Sequence, residues 1–549
     1  MKSTLSAIRG IAARSSRFNA RARISAIAVP MLSAVALPAH AQLYTPGDLL
    51  VTTSTYTGNS STVTVGQSLP GGGTATANGS YPSVFNNETP DPSFGVTSPV
   101  FLESFNTASN AIDSSTNLTA VAAAAGINLS TSFSSKSELS LSLSTDGSAV
   151  TFMGYAAAPN ALDVSNANTA AVNDPSNPVA STYARAIGAV TSTGLSVTNV
   201  NAYSGNNGRA AILANGNYYL VGNAGNSGSA VTNPVLDQLS ANTGVQMIAK
   251  GSSGNTTVVG TQVCPSCAGT GKGNQYGFSI TQLGNSADKT GKDDNFRGET
   301  IFNNTLYVTK GSGSNGVNTV YQVGTAGALP TSGTAASTAI SILPGFNTTL
   351  AKTAATPNPF GLWFANSTTL YVADEGDGAV GDADSYAGLQ KWSLVNGTWQ
   401  LDYTLKTGLK IGTNYTVTGG LNADGSVNPQ GTGLSYTTST DGLRNLIGKV
   451  AADGTVTLYA ITSTASTQTS DQGADPNKLV AITDSLGFTT AAQASGESFS
   501  VLQTADYGEV LRGVSVAPVP LPAAAWLLLS GLAGMGALSR RRLHAAATA

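Results

Sequence analysis

A short strand pattern recurs along the chain and constrains its fold more than any other feature of the sequence. YYLVG stands at 218–222, TLYV at 305–308 and again at 369–372, and TLYA at 457–460. Each of the last three is followed by a second strand candidate, VYQV at 320–323, LQKW at 389–392 and LVAI at 479–482. Turn dipeptides such as Asn215-Gly216 and Asp453-Gly454 indicate hairpins. Since helical periodicity is scarce, the pattern predicts an all-β domain.

The spacing of the repeat favours a propeller. Successive copies lie about 64 to 88 residues apart, which suits four-stranded blades that carry long loops. Seven blades of about 68 residues each would fill the 477 residues from 42 to 518. We therefore expect a single seven-bladed β-propeller over 42–518, with a β-helix or tandem sandwiches as the alternatives.

The N-terminal segment has the order of a secretory signal peptide. Six basic residues and no acid precede residue 24, an apolar run covers 24–37, and Ala39-His40-Ala41 follows. A basic region, a short apolar core and a small-x-small site are typical of export, so we expect signal peptidase to cleave after Ala41. A transit peptide is the competing interpretation of the Arg- and Ser-rich start.

The C-terminal segment, 519–549, has three parts in order. A proline motif comes first (Val519, Pro520, Leu521, Pro522 and Ala523), an uncharged stretch continues to Leu538, and Arg540, Arg541 and Arg542 follow. An apolar run before a basic cluster predicts a membrane helix with its basic end in the cytoplasm. The segment resembles the PEP-CTERM type of sorting signal in its VPLPA variant, which implies processing by an exosortase-type protease. A plain membrane anchor is the alternative.

Charge and histidine content exclude several functions for the region between these segments. It keeps 17 basic residues against 29 acidic ones, a formal charge of −12, which argues against nucleic-acid binding. The only histidines, His40 and His544, lie in the terminal segments. Histidine-based triads and the usual zinc hydrolase sites are therefore excluded from 42–518, and a metal there would need oxygen ligands.

Two local motifs suggest specific chemistry. Cys264 and Cys267 enclose two residues; in an exported protein we expect a disulfide that pins a loop, although a redox motif is an alternative. Five acids crowd into eleven residues, and a calcium ion would relieve their repulsion, with a solvated acidic loop or catalytic carboxylates as the other interpretations. These acids are Asp374, Glu375, Asp377, Asp382 and Asp384.

The five arginines of the region share one context. Each precedes a small or polar residue and then a strand-like run; they are Arg185, Arg209, Arg297, Arg444 and Arg512. Equivalent strand starts in a propeller would gather near its axis, in different blades. We expect these guanidinium groups either to cap carbonyls of neighbouring blades or to form a pocket for an anion.

Several phrases resemble a family of uncharacterised exported bacterial β-propellers. They include STDGSAVTFMGY from Ser144, NPFGLWFANSTTLYVADEGDG from Asn358, GLQKWSLVNGTWQL from Gly388 and LRGVSVAP from Leu511. The resemblance covers most of 42–518 and implies the propeller fold, but it implies no reaction.

Together these features predict a non-catalytic scaffold or binding propeller of a Gram-negative bacterium. We expect export, transient anchoring in the inner membrane, and delivery to the envelope, cell surface or extracellular matrix, with exopolysaccharide as a partner. A calcium-dependent lactonase- or phosphatase-like hydrolase and a carbohydrate-binding module are the alternatives. No nucleic-acid partner and no cofactor besides calcium is expected.

Overall fold

The computed structural model describes most of the region between the two terminal segments. The described residues are 42–87, 94–225, 241–260, 279–285, 293–381, 384–421, 425–426, 434–466 and 473–518. The predicted signal peptide, the proline motif with its helix and arginine cluster, Cys264, Cys267 and Asp382 lie outside them.

The described strands assemble into six four- or five-stranded antiparallel sheets, each named here as a blade from its inner strand outwards. Blade 1 is β28 (Glu509–Val516), β1 (Leu49–Thr55), β3 (Val100–Asn106) and β4 (Ala111–Asn117). Blade 2 is β6 (Ser142–Leu143), β7 (Ala149–Tyr155), β8 (Arg185–Thr191) and β9 (Gly194–Val200). Blade 3 is β10 (Gly208–Ala214), β11 (Asn217–Gly222), β12 (Gly244–Ala249) and β13 (Thr257–Val258).

The other three blades follow in chain order. Blade 4 is β15 (Phe296–Phe302), β16 (Thr305–Lys310), β17 (Thr319–Val323) and β18 (Ala339–Ile342), with β14 (Ser279–Thr281) parallel to β18 at its edge. Blade 5 is β19 (Pro359–Asn366), β20 (Thr369–Asp374), β21 (Gly388–Val395) and β22 (Thr398–Leu405). Blade 6 is β24 (Tyr436–Val450), β25 (Thr455–Ser466), β26 (Lys478–Ser485) and β27 (Ser500–Thr504), with β23 (Asn414–Val417) on the first part of β24.

Few other elements occur in the described residues. β2 (Thr97–Ser98) pairs with β5 (Thr131–Ser132), and short 3₁₀ turns cover Ser83–Asn87, Val164–Asn166 and Ala335–Ser337. The one α-helix there, α1 (Leu118–Ala124), uses the alanine run noted in the sequence and is capped by Asn117, which accepts a hydrogen bond from the Ala120 N–H. None of the described helices has the length and apolar character required to span a bilayer.

The six blades close into a ring that resembles a β-propeller, so the all-β prediction is confirmed. The two ends of the described chain share blade 1, where β28 pairs with β1 from Leu49↔Val516 to Thr55↔Glu509. Apolar clusters fill the gaps between successive blades, and one of them continues through blades 3, 4 and 5. Leu102 and Val190 lie between blades 1 and 2, and Leu458 and Leu389 lie between blades 5 and 6. A further cluster, with Val51 and Leu479, joins blade 6 to blade 1 and completes the circle.

Close contacts between inner strands fix the spacing of the blades. Inner-strand glycines face backbone of the next blade: a Cβ on Gly298 would lie 2.2 Å from Phe360 O, and one on Gly513 would lie 2.4 Å from Leu139 O. Threonines on second strands reinforce the same junctions. Thr309 Oγ1 donates to Phe360 O at 2.6 Å, and Thr52 Oγ1 donates to Leu139 O at 2.6 Å. Any larger side chain at these glycines would push two blades apart.

The recurring sequence pattern marks the second strand of a blade. The four copies coincide with β11, β16, β20 and β25, and the three strand candidates that follow coincide with β17, β21 and β26. The predicted hairpin turn at Asn215-Gly216 is confirmed, with φ of 48° and 76°. These positive values suit the twist of a two-residue hairpin and explain the Asn-Gly pair.

The prediction of seven blades is wrong for the described residues, which form six. The number seven assumed that every residue of the region belongs to a blade of about 68 residues. Long segments lie outside the six blades, so fewer blades fill the same length. The chain runs from β1 to β3 over residues 56–99, and from β7 to β8 over residues 156–184, before it returns to the same blade.

Closure of the ring gives a stability prediction at Asn445 of β24. Its side-chain Oδ1 accepts from Val514 N at 2.6 Å and from Leu141 N at 3.3 Å, so one amide connects blades 6, 1 and 2. Asn445→Ala would leave both buried N–H groups without this acceptor. We expect a loss of about 2–4 kcal/mol in the free energy of unfolding, measured as a lower urea midpoint. Gln400→Ala on the exposed side of β22 is the control and should change the midpoint little; equal effects would contradict a role of Asn445 in closure.

Candidate functional site

A loop that precedes the inner strand of blade 2 connects most of the ring at its axis. Residues 133–138, here called the axial loop, follow β5 and lead towards β6. Phe133 O accepts from Arg512 Nη2 of blade 1 at 2.5 Å, and Ser135 Oγ accepts from Asn207 Nδ2 next to blade 3 at 2.7 Å. Glu138 is fully buried and accepts from the Tyr155 hydroxyl of blade 2. The loop therefore contacts residues of several blades at once.

Ser137 and Lys136 of this loop contact three further side chains near the axis. Ser137 Oγ accepts from Arg209 Nε of blade 3 at 3.2 Å and from Arg297 Nη1 of blade 4 at 3.0 Å. Lys136 Nζ lies 3.3 Å from Glu375 Oε2, just after the second strand of blade 5. The Ser137 oxygen thus accepts hydrogen bonds from guanidinium groups of two different blades.

Glu375 is the central acid of the group. Its Oε2 also accepts from Arg444 Nε of blade 6 at 3.2 Å, and its side chain is only 2 % exposed. Burial opposes ionisation, but the charges of Lys136, Arg297 and Arg444 together outweigh it and hold the pKa of Glu375 below its ordinary value. Glu375 is therefore ionised at neutral pH and joins blades 5 and 6 to the axial loop. We call Lys136, Ser137, Arg209, Arg297, Glu375, Asp441 and Arg444 the axial hub.

Two further buried acids, Asp441 of the hub and Asp374 next to Glu375 in the chain, have pKa values that are shifted upwards instead. Burial raises the pKa of Asp441 to about 7, with the charge of Glu375 adding to it, although the Gly378 N–H donates to Asp441 Oδ2 at 2.9 Å. Burial likewise raises the pKa of Asp374 to about 7, against hydrogen bonds from the N–H groups of Gly376 and Asn358. Burial and the nearby arginines lower the pKa of Lys136 to about 8.

The structure brings three of the five predicted arginines together. Arg209, Arg297 and Arg444 lie in the axial hub on inner strands of blades 3, 4 and 6. Arg512 lies on the inner strand of blade 1 and donates to Phe133 O and Gly473 O, both at 2.5 Å. The anion site remains a prediction for the hub.

Arg185 differs from the other four arginines. It starts β8, the third strand of blade 2, whereas the other four lie on inner strands. The expectation that all five arginines start strands is wrong for Arg444 and Arg512, which lie within β24 and β28. The Arg185 guanidinium donates to carbonyl groups alone, among them Tyr183 O at 2.8 Å and Ser165 O at 2.9 Å. These contacts support the first of the two roles expected from the sequence, in which the guanidinium group caps backbone carbonyls.

The described acids of the predicted calcium loop do not converge. Glu375 belongs to the hub, and Asp374 is held by backbone N–H groups. Asp377 and Asp384 each accept from the N–H two residues further on, as in an ordinary Asx turn. No group of three or more His, Cys, Asp or Glu side chains able to hold a metal occurs among the described residues. Because Asp382 lies outside them, the calcium site remains a prediction for the complete loop.

A cavity of about 210 Å³ adjoins the hub along the inner strands. Its walls include Ser142 of blade 2, Ile212 of blade 3, Glu299 of blade 4, Leu362 of blade 5 and Leu446 of blade 6. In blades 3, 4 and 6 these residues follow the hub arginine of the same strand, so the hub and the cavity succeed each other along the axis. Glu299 is buried, and burial raises its pKa well above the ordinary value, which favours its neutral form.

Sequence reasoning missed the axial loop altogether. Lys136, Ser137 and Glu138 stand in a polar run, SSKSE, that has no strand periodicity and no known motif. Scarcity of cations would have been the available signal, since only 17 basic residues lie between the terminal segments. Two of the tryptophans have packing roles: Trp399 is buried in the core, and the rings of Trp392 and Phe346 stack with centroids 4.0 Å apart.

No protein-family model matches the chain, and no curated protein is significantly similar to it. The site is therefore interpreted from its own geometry.

The hub gives a stability prediction for Glu375. Glu375→Gln keeps the shape of the side chain but removes the charge that Lys136 and Arg444 share, which would leave buried cations facing each other. We expect the free energy of unfolding to fall by about 3–5 kcal/mol in urea titrations. Asp377→Asn, two residues away and exposed, is the control and should stay within about 0.5 kcal/mol of the original protein. An unchanged Glu375→Gln protein would show that the ion pairs do not hold the axis together.

The raised pKa values of Asp374 and Asp441 give a pH prediction. Each folded-state pKa, about 7, lies above the ordinary value of 3.8, so the folded state binds more protons between these limits. The stability contributed by the neutral carboxyls is complete below about pH 4 and is lost as the pH rises through 7. We expect the urea midpoint to fall between pH 5 and pH 8.

Substitution of one acid tests the origin of this slope. Asp441→Asn should reduce the decline, because an amide remains neutral throughout, whereas Asp453→Asn on the surface should leave it unchanged. A midpoint that rises over the same interval would contradict the assignment.

Proposed function

We propose that this chain is an exported, non-catalytic binding or scaffold propeller, delivered to the cell envelope, surface or matrix through its C-terminal segment. The observation that carries the non-catalytic part is the axial hub. Its charged side chains bind one another, the Ser137 hydroxyl and a backbone carbonyl, Phe296 O, which accepts from Arg209 Nη1 at 2.7 Å. Such a group links blades and holds the axial loop in place.

Export and sorting rest on the terminal segments of the sequence. A basic, apolar and small-x-small order at 1–41 supports cleavage by signal peptidase. The proline motif, apolar stretch and arginine cluster at 519–549 support transient insertion in the inner membrane and processing by an exosortase-type protease. The ring ends at β28, two residues before the described chain ends at Pro518, so the sorting segment follows the domain directly.

Mass spectrometry of the protein from its producing cells tests the sorting part of the proposal. We expect the mature chain to begin near Gln42 and to lack Arg540, Arg541 and Arg542. Substituting Pro520 and Pro522 together by Ala should block removal of the tail, because both belong to the recognised motif. Pro518→Ala, just outside the motif, is the control and should be processed normally. Surface-located protein with an intact tail would indicate a plain membrane anchor instead.

The same preparation tests the non-catalytic part. We expect no calcium-dependent turnover of lactone or phosphomonoester substrates. Turnover that disappears on removal of calcium would replace the scaffold by the hydrolase alternative.

A further inference from the structure

Two cavities that lie away from the hub have one lining tyrosine in common. The first has a volume of about 310 Å³ and is lined by Tyr56, Thr57, Asn59, Ser80, Tyr81 and Tyr507. The second, of about 180 Å³, is lined by Tyr415, Thr416, Thr418, Pro476, Thr504 and Tyr507. Tyr507 lines both cavities. The larger cavity reaches the lower end of the volumes typical of small-molecule sites, about 300–1,000 Å³.

The tyrosine rings are held in place by their hydroxyl groups. Tyr56 OH donates to Gly79 O at 2.6 Å, Tyr507 OH to Leu434 O at 3.0 Å, and Tyr415 OH to Pro476 O at 2.7 Å. The rings of Tyr81 and Tyr507 pack edge to face with centroids 5.0 Å apart. Because these rings are already ordered, a ligand that packs against them loses little side-chain entropy on binding.

The other wall groups are uncharged; some are polar, and Val417, Leu421 and Ala505 of the second cavity are apolar. Ser80, Thr416 and Thr504 supply hydroxyls, and Asn59 supplies an amide nitrogen beside the larger cavity. Within the described part of the chain, none of these four groups donates a recorded hydrogen bond, and no charged side chain lines either cavity.

We infer that the paired cavities bind a neutral saccharide chain, with one sugar unit on each side of Tyr507. A sugar ring presents apolar C–H groups on its faces and hydroxyls around its rim, which matches fixed aromatic walls with hydroxyl and amide groups at their edges. An anionic or cationic ligand would meet no charged side chain in the lining of either cavity, although Lys478 Nζ lies 4.1 Å from the centre of the Tyr415 ring. This inference rests on the binding role proposed above and names its ligand class.

Calorimetric titration of the full chain in detergent tests the inference. The probes are cellohexaose, maltohexaose and mannohexaose, with hexagalacturonate as their charged counterpart. We expect at least one neutral hexasaccharide to bind and hexagalacturonate to bind at least tenfold more weakly. Tyr507→Ala removes the shared wall and should weaken the neutral ligand roughly tenfold or more. Tyr507→Phe keeps the ring and should remain within about twofold of the original protein, even if loss of the bond to Leu434 O lowers its stability.

Tyr386→Ala provides a matched control, since Tyr386 is an exposed tyrosine that lines neither cavity. Its affinity should equal that of the original protein. The inference is overturned if no neutral hexasaccharide binds, if hexagalacturonate binds equally well, or if Tyr507→Ala retains full affinity. Processing measured on the same protein separates this result from the proposed function: a processed chain without saccharide binding defeats only the inference, and an unprocessed chain that binds defeats only the sorting proposal.

Discussion

The pairing of β1 with β28 is the constraint on which the rest of the molecule depends. These two strands are separated by more than 450 residues, and their ladder converts six sheets in a row into a ring. Only in a closed ring do the inner strands surround a common axis, where guanidinium groups from different blades come within reach of one serine. The entropy of closing so long a loop grows only slowly with its length, so one ladder supported by the apolar cluster between blades 6 and 1 is adequate for closure.

The buried acids near the axis have pKa values that are shifted in opposite directions. Glu375 is ionised because cations surround it, whereas Asp374 and Asp441 are pushed towards their neutral forms by burial. Paired charges and neutral acids are both ways of avoiding an uncompensated buried charge. The twin tyrosine cavities avoid charge altogether, which separates them chemically from the hub even though Arg512 of the ring and Tyr507 are near neighbours in sequence.

Local patterns revealed the strands that are apolar on both faces, and little else. β11, β16, β20 and β25 share an aromatic residue within an apolar run, but β1 (LLVTTST) and β7 (AVTFMGY) lack the TLYV pattern, so the pattern marks only four of the six blades. β6 has only two residues and no detectable pattern. The arginines could be recognised because cations are scarce, yet their partner Ser137 could not, since its position depends on the path of a loop between β5 and β6. Gly298 and Gly513 each directly follow an arginine that lies near the axis, and neither position has room for a Cβ atom. This Arg-Gly pair is visible in the sequence.

The position of β28 at the far end of the domain affects how the chain is made. Synthesis runs from the N-terminus at about 5–20 residues per second, so β1 waits roughly half a minute to a minute and a half for its partner strand. During that interval the edge of β1 that later receives β28 exposes backbone N–H and C=O groups, which is the kind of edge that pairs with other chains. Its sequence, rich in threonine and uncharged, carries no lysine or proline to prevent this. Nascent blade 1 therefore keeps an unpaired edge until β28 is made.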